Sequence, residues 1–339
     1  MSGSDTLLHQ LLRNLRGEHV SNWLMQSLVV HASTHGTGER ADRLVLSQAL
    51  NMLLFWDLCE RVPDAKTYTD EKTTAGQRVF LDHGALRTVQ IAMDKLPSGK
   101  HAFSRILVPL GYREVGEYPL EKLRMCGFVY QHQDLPADLS QFFISELYPE
   151  RFSSAFQQAV SNVVCHSTDP LSTTSAHLLQ QLEQQGWLGI DDACTVLENL
   201  ITCFGRQHPP PSIEDYQTLK QESAEMAWIA TEGNAFNHAT DRVEDVDRVA
   251  ETERSKGRPM KPFIEEGRHA HIRQTAYRAT PVHRPFASNE GEVRLEVPGS
   301  FFEFIERGAI IDEHGIEAGL DLRFDSANAQ GIFKMTSTP

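Results

Sequence analysis

Phe80-Leu81-Asp82-His83-Gly84-Ala85-Leu86-Arg87 is echoed far down the chain by Phe236-Asn237-His238-Ala239-Thr240-Asp241-Arg242. In both copies an apolar, strand-like run delivers a histidine, and an arginine follows four positions later. A second echo follows each: Gln141-Phe142-Phe143-Ile144-Ser145-Glu146 in the first half and Ser300-Phe301-Phe302-Glu303-Phe304-Ile305-Glu306 in the second. The intervals from His83 to Ile144 and from His238 to Glu303 are nearly equal. A duplicated unit therefore predicts that His83, His238 and Glu303 converge on one site, with the apolar Ile144 filling the pseudo-symmetric fourth place. Two imidazoles and one carboxylate, with positions left open, form the facial triad associated with non-haem Fe(II) oxygenases.

At 339 residues the chain is long enough for two domains or one duplicated one, and it can bury a substantial core. Its 40% hydrophobic and 23% charged residues are ordinary for a globular protein, and a net charge of −14 argues against general binding to nucleic acid or anionic membranes. The five cysteines, at 59, 126, 165, 194 and 203, include no Cys-x-x-Cys pair and read as reduced, mostly buried thiols. Residues 1–8 lack a signal-peptide pattern, and no stretch approaches the roughly 20 apolar residues of a membrane span. A cytoplasmic protein is expected.

Helical apolar periodicity over 7–30 and 44–62 predicts an N-terminal helical cap covering 1–70. Short apolar runs broken by Gly and Pro then mark a first mixed module, 71–150, with a helix near 85–96. Helical pattern returns at 152–164, 174–185, 191–204 and 213–229, predicting a helical insertion over 151–230. The second module, with a closing tail, spans 231–339, with a helix at 243–253 and strands near 271–278, 292–297 and 301–306. The expected class is α+β, with two like modules burying their sheets against each other around a barrel-like cleft.

Glu303, set among Phe301, Phe302, Phe304 and Ile305, is the strongest single candidate, since a carboxylate in an apolar strand needs a partner or a metal. The plainer reading is a buried salt bridge with Arg87 or Arg307. Strand alternation lets only one of Glu303 and Glu306 face inward, and Glu303 is chosen. Arg87 and Arg242 fall a helical turn beyond their histidines; Arg87 is the better candidate for a substrate-carboxylate clamp, whereas Arg242, flanked by acids, reads as an ion pair. His269-Ala270-His271, with His283, offers a competing cupin-like cluster. No nucleotide-binding or serine-hydrolase motif is present.

Asp82-His83-Gly84-Ala85-Leu86-Arg87-Thr88, the stretch 231–242 beginning Thr231-Glu232-Gly233-Asn234, and Val297-Pro298-Gly299-Ser300-Phe301-Phe302-Glu303-Phe304 resemble the 2-oxoadipate dioxygenase/decarboxylase family of the vicinal oxygen chelate superfamily. That resemblance covers the chain from about residue 70 onward and implies paired βαβββ glyoxalase-like modules. It implies His83, His238 and Glu303 as ligands of Fe(2+) and Arg87 as the arginine that selects substrate. The substrates it implies are O2 and a 2-oxo dicarboxylic acid, 2-oxoadipate, converted to 2-hydroxyglutarate and CO2 in lysine breakdown. Gln274, Arg278 and Gln330 are further pocket candidates, taken for polar side chains on module strands or in the tail. Two other functions remain open on the residues alone: a glyoxalase-type isomerase or lyase using another divalent metal, and a small-molecule binding module without catalysis.

Overall fold

The computed structural model describes residues 6–267, 272–289, 291–311, 314 and 316–325. Three helices come first, Leu7–Ser27 (α1), Arg43–Arg61 (α2) and Pro63–Thr74 (α3). The first module follows as Leu81–Val89 (β1), His101–Leu107 (α4), Tyr112–Leu120 (β2), Met125–His132 (β3) and Gln141–Leu147 (β4). The inserted helices are Ser154–Val164 (α5), Thr173–Gln185 (α6), Ile190–Cys203 (α7), Ile213–Glu222 (α8) and Ala224–Glu232 (α9). The second module is Phe236–Arg242 (β5), Val246–Ser255 (α10), Glu265–Glu266 (β6), Ile272–Ala276 (β7) and Phe301–Arg307 (β8), with a hairpin of Pro281–Ser288 and Gly291–Pro298 inserted before β8. Local chemistry sets many boundaries: Thr6, Asp42, Ser153, Ser172, Ser212, Ser223 and Asp245 each accept a backbone N–H at a helix start. Ser223 also divides the apolar pattern at 213–229 into two helices.

Strands β1 to β8 form one curled sheet in the order β2-β3-β4-β1-β5-β8-β7-β6. Within the modules, β1 runs parallel to β4 and β5 parallel to β8, and every other pairing is antiparallel. The halves meet at the antiparallel β1–β5 seam, where His83 lies opposite Thr240 and Ala85 opposite His238. That reciprocal register is the mark of an approximate two-fold axis through the seam. The expected pair of βαβββ modules is therefore present, joined into one α+β half-barrel.

Period-two alternation assigns the faces. Leu86, Phe142, Ile144, Phe236, Phe302 and Phe304 join a core with the helical cap and α6–α7, whereas His83, Ala85, Phe143, Ser145, His238 and Glu303 face the concave side. Two expectations are corrected here. The helix placed at 85–96 is instead the continuation of β1 to Val89, because every β1 residue is buried and no alternation betrays the strand. The fourth symmetric place belongs to Phe143, not Ile144. His238 pairs with Phe301 and His83 with Gln141, so the equivalent of Glu303 lies two residues past Gln141. Ile144, one residue on, points into the core.

Candidate active site

His83 from β1, His238 from β5 and Glu303 from β8 meet at the centre of the concave face, 3%, 6% and 1% exposed. The His83 Nε2 is 3.4 Å from the His238 Nε2 and 3.9 Å from Glu303 Oε1, and the His238 Nε2 is 3.5 Å from Glu303 Oε2. Among the described residues they are the one group of three such donors close enough to share an ion. Neither Glu303 oxygen receives a hydrogen bond. Burial pushes this carboxyl well above its usual range, with the negative charge of Glu265 adding to the effect. Burial also holds both imidazoles below the ordinary histidine range, His238 the further, with the charges of His83 and Arg87 contributing to it. An undonated buried carboxylate facing two neutral imidazole nitrogens is a donor set that a divalent cation completes.

The residue before each histidine orients it. Asp82 Oδ1 stands 2.9 Å from the His83 Nδ1, and accepting a hydrogen bond from Nδ1–H leaves a lone pair on Nε2 aimed into the site. Burial alone would raise the Asp82 carboxyl, but Arg307, the His83 hydrogen bond and Arg242 more than offset it and hold it well below the usual range. Asn237 occupies the symmetric position, its amide Nδ2 2.9 Å from the His238 Nδ1 and its Oδ1 without a partner, and the two ends of an amide are interchangeable in shape. With the amide oxygen turned toward that nitrogen it performs the same office without a charge. Sequence reasoning assigned Asp82 and Asn237 no part, although their places directly before the two histidines were a visible signal.

Ala85, Phe143, Ser145, Asn237, Gln274, Phe324 and Asp325 complete the lining of a cavity of about 30 Å3. Gln274 is thus placed at the site, on β7 beside β8. Arg87 shares the concave face of β1 but sits beyond the lining, fully buried opposite Ser145, with its guanidinium 5.1 Å from the Trp228 ring. Burial lowers its pKa to about 10, against the opposing pull of Glu225, so it is cationic at neutral pH. The four-residue step from His83 keeps it on the same face as a strand would, not as the expected helical turn. Arg242 is paired with Asp82 at 2.6 Å, as its acidic surroundings suggested. Arg307 also goes to Asp82, leaving Glu303 without the salt bridge of the plainer reading. Glu306 faces away and accepts from the Val246 N–H at the start of α10. Arg278 is exposed, and His283 is exposed on the hairpin. Gln330, His269 and His271 lie outside the described residues.

A family model for 2-oxoadipate dioxygenase/decarboxylase matches residues 55–334. The chain belongs to that family. A 2-oxoadipate dioxygenase/decarboxylase family member is an enzyme, which sets aside the binding module without catalysis. The chain is 46% identical to a glyoxalase superfamily protein of Ralstonia eutropha over 94% of this chain and 98% of that one, with a TM-score of 0.88. It shares its fold with the hydroxyglutarate synthase of Oryza sativa in complex with 2-oxoadipate (17% identity, 92% and 96% covered, TM-score 0.64). The hydroxyglutarate synthase of Pseudomonas putida, also in complex with 2-oxoadipate, is similar to the same degree (19%, 88% and 74% covered, TM-score 0.64). No curated protein matches the chain. No helix among the described residues is long and apolar enough to cross a membrane.

Proposed function

We propose that this family member is an Fe(II)-dependent enzyme that converts 2-oxoadipate and O2 to 2-hydroxyglutarate and CO2, a step of lysine breakdown. The observation that carries the reading is the buried Glu303 carboxylate, without a hydrogen-bond donor and facing the Nε2 atoms of His83 and His238. Iron held by these three residues supplies open positions for chelation of a 2-oxo acid and the redox chemistry that O2 requires.

The chain's own residues do the rest. Asp82 keeps the His83 Nε2 lone pair aimed into the site, and Asn237 does the same for His238 once its amide is turned so that the oxygen meets Nδ1. Ala85, Phe143 and Phe324 give the cavity hydrocarbon walls that exclude bulk water from the reacting carbons. Ser145 and Gln274 offer hydrogen bonds near the ligands, and Arg87, beyond Ser145, is the cation for the distal carboxylate of a dicarboxylic substrate. Holding that far end fixes the 2-oxo end against the triad.

The test is oxygen uptake by protein loaded anaerobically with Fe(II), on addition of 2-oxoadipate, with CO2 and 2-hydroxyglutarate measured in the same vessel. Uptake matched by both products is expected. The likeness to a glyoxalase superfamily protein favours a second reading, a non-oxidative isomerase or lyase with another divalent metal on the same residues. Absence of uptake across a panel of 2-oxo acids would replace the first reading with the second.

A further inference from the structure

The cavity at the triad has room for about two waters, far less than a six-carbon dicarboxylate needs. Phe324 narrows this partly open pocket beside His83. Its ring stands edge-on to the His83 imidazole with centroids 4.9 Å apart, and it lies 4.9 Å from the Phe143 ring and 6.1 Å from Tyr118. Residues 321–325 belong to neither module's strands. They are held over the concave face by a few side chains and by a backbone bond, from the Asp321 N–H to the Gly308 carbonyl at 2.9 Å. Arg307 donates through Nη1 to the carbonyls of Asp321 and Arg323, at 2.9 and 2.8 Å. Gln141 donates to the Leu322 carbonyl at 3.3 Å, and the Tyr118 hydroxyl accepts from the Phe324 N–H at 3.2 Å. The other edge of the same Arg307 guanidinium grips Asp82, the residue that orients His83. The segment is therefore fastened to the scaffold of the site by polar contacts at its edge, while its one aromatic side chain lines the pocket against His83 and Phe143.

We propose that residues 321–325 are a gate over the triad, with Phe324 as the plug that sets the rate and size of ligand entry and Arg307 as the latch. This rests on the triad being the ligand site, and it deepens that reading by naming what controls access. Closed, the gate keeps water from the donor atoms and completes the apolar wall. Open, it exposes the face of the site on which a chelating acid arrives. Phe324 contributes no donor atom, so its removal changes the speed of exchange in both directions and leaves the affinity of the three ligands for an ion nearly as it was.

The first arm of the test uses Zn(II), which the same donors bind and which takes no part in redox chemistry. Zinc uptake by the metal-free protein, and zinc release to 4-(2-pyridylazo)resorcinol, are timed for the wild type, Phe324→Ala and Phe324→Leu. Loss of the aromatic contacts predicts both rates roughly five- to tenfold faster in Phe324→Ala, with Phe324→Leu between it and the wild type. The equilibrium affinity is expected to stay within about twofold, and unchanged far-ultraviolet circular dichroism confirms the fold. Unchanged rates, or faster release without faster uptake, would overturn the gate, the latter because it marks a merely weakened site. The second arm measures oxygen uptake by the iron-loaded variants with 2-oxo acids of increasing bulk, where Phe324→Ala is expected to extend the accepted range. A positive zinc arm with no uptake for any acid keeps the gate and removes the substrate; a negative zinc arm removes the gate whatever the substrate.

Discussion

At the residue scale the site turns on one unsatisfied carboxylate. A raised folded-state pKa means that protonated Glu303 supports the metal-free fold at low pH, and that support is lost as pH rises through the folded value. The depressed histidines act in the opposite sense: the metal-free fold loses their contribution as pH falls below the ordinary histidine range. Metal-free Glu303→Gln is therefore expected to melt higher than the wild type, by a margin that grows as pH rises above the ordinary carboxylate range, as followed by circular dichroism. A Gln variant that melts lower throughout would show that the carboxylate has a partner. In the metal-loaded state the ranking inverts. His83→Ala, His238→Ala and Glu303→Gln should each lose bound iron and turnover, whereas Glu306→Gln, whose side chain caps α10, should retain both within about twofold. Measured metal content and rates decide it, and the reverse pattern at the two glutamates would invert the strand-face assignment. Arg87→Ala should cost roughly ten- to hundredfold in kcat/KM with 2-oxoadipate, the worth of a charged hydrogen bond, and far less with short monocarboxylic 2-oxo acids. Equal losses with both classes would end its role as a clamp.

At the element scale, what the sequence disclosed depended on how each segment is buried. Helices with one wet face announced themselves: α1, α5, α6 and α7 follow their apolar spacing closely. β1, dry on both faces, carries no alternation, and Ala85-Leu86-Arg87 are good helix formers, so its second half read as helix. The repeated histidines were legible because each sits in the same local motif of its module. The choice between Phe143 and Ile144 was not, because a one-residue difference in loop length flips the face and only the ladder reveals it. Phe324 and Tyr118 were invisible for a different reason: they reach the triad through tertiary packing that no spacing encodes. The Glu232-Gly233-Asn234 motif is explained by close approach. Gly233 ends α9 at φ 65°, and a Cβ there would lie 2.3 Å from the Arg206 Cα, while Asn234 donates to the Arg87 carbonyl at 2.7 Å. Gly233→Ala is expected to destabilise the protein by about 3 kcal/mol, from backbone strain with a steric clash added. An unchanged denaturation midpoint would show that the α7–α8 connection yields more readily than its packing suggests.

At the scale of the whole molecule, the triad draws one donor from the first module and two from the second, so an ion bound there would tie the halves together across the β1–β5 seam. Binding that requires both halves in place stabilises only the folded chain. At a free metal concentration a hundred times Kd the gain is about 2.7 kcal/mol, and the melting temperature should rise with metal concentration and fall back on chelation. A melting temperature indifferent to Fe(II) and Zn(II) would mean that the donors hold no ion. The approximate two-fold axis has a further consequence for whatever binds. With four equal donors around it, an unsymmetrical molecule would have two equivalent poses, and half of all encounters would present the wrong end. Phe143 in the place that mirrors Glu303 breaks that degeneracy: one side of the axis is charged, the other is hydrocarbon, and a molecule with a head and a tail has a single way to lie.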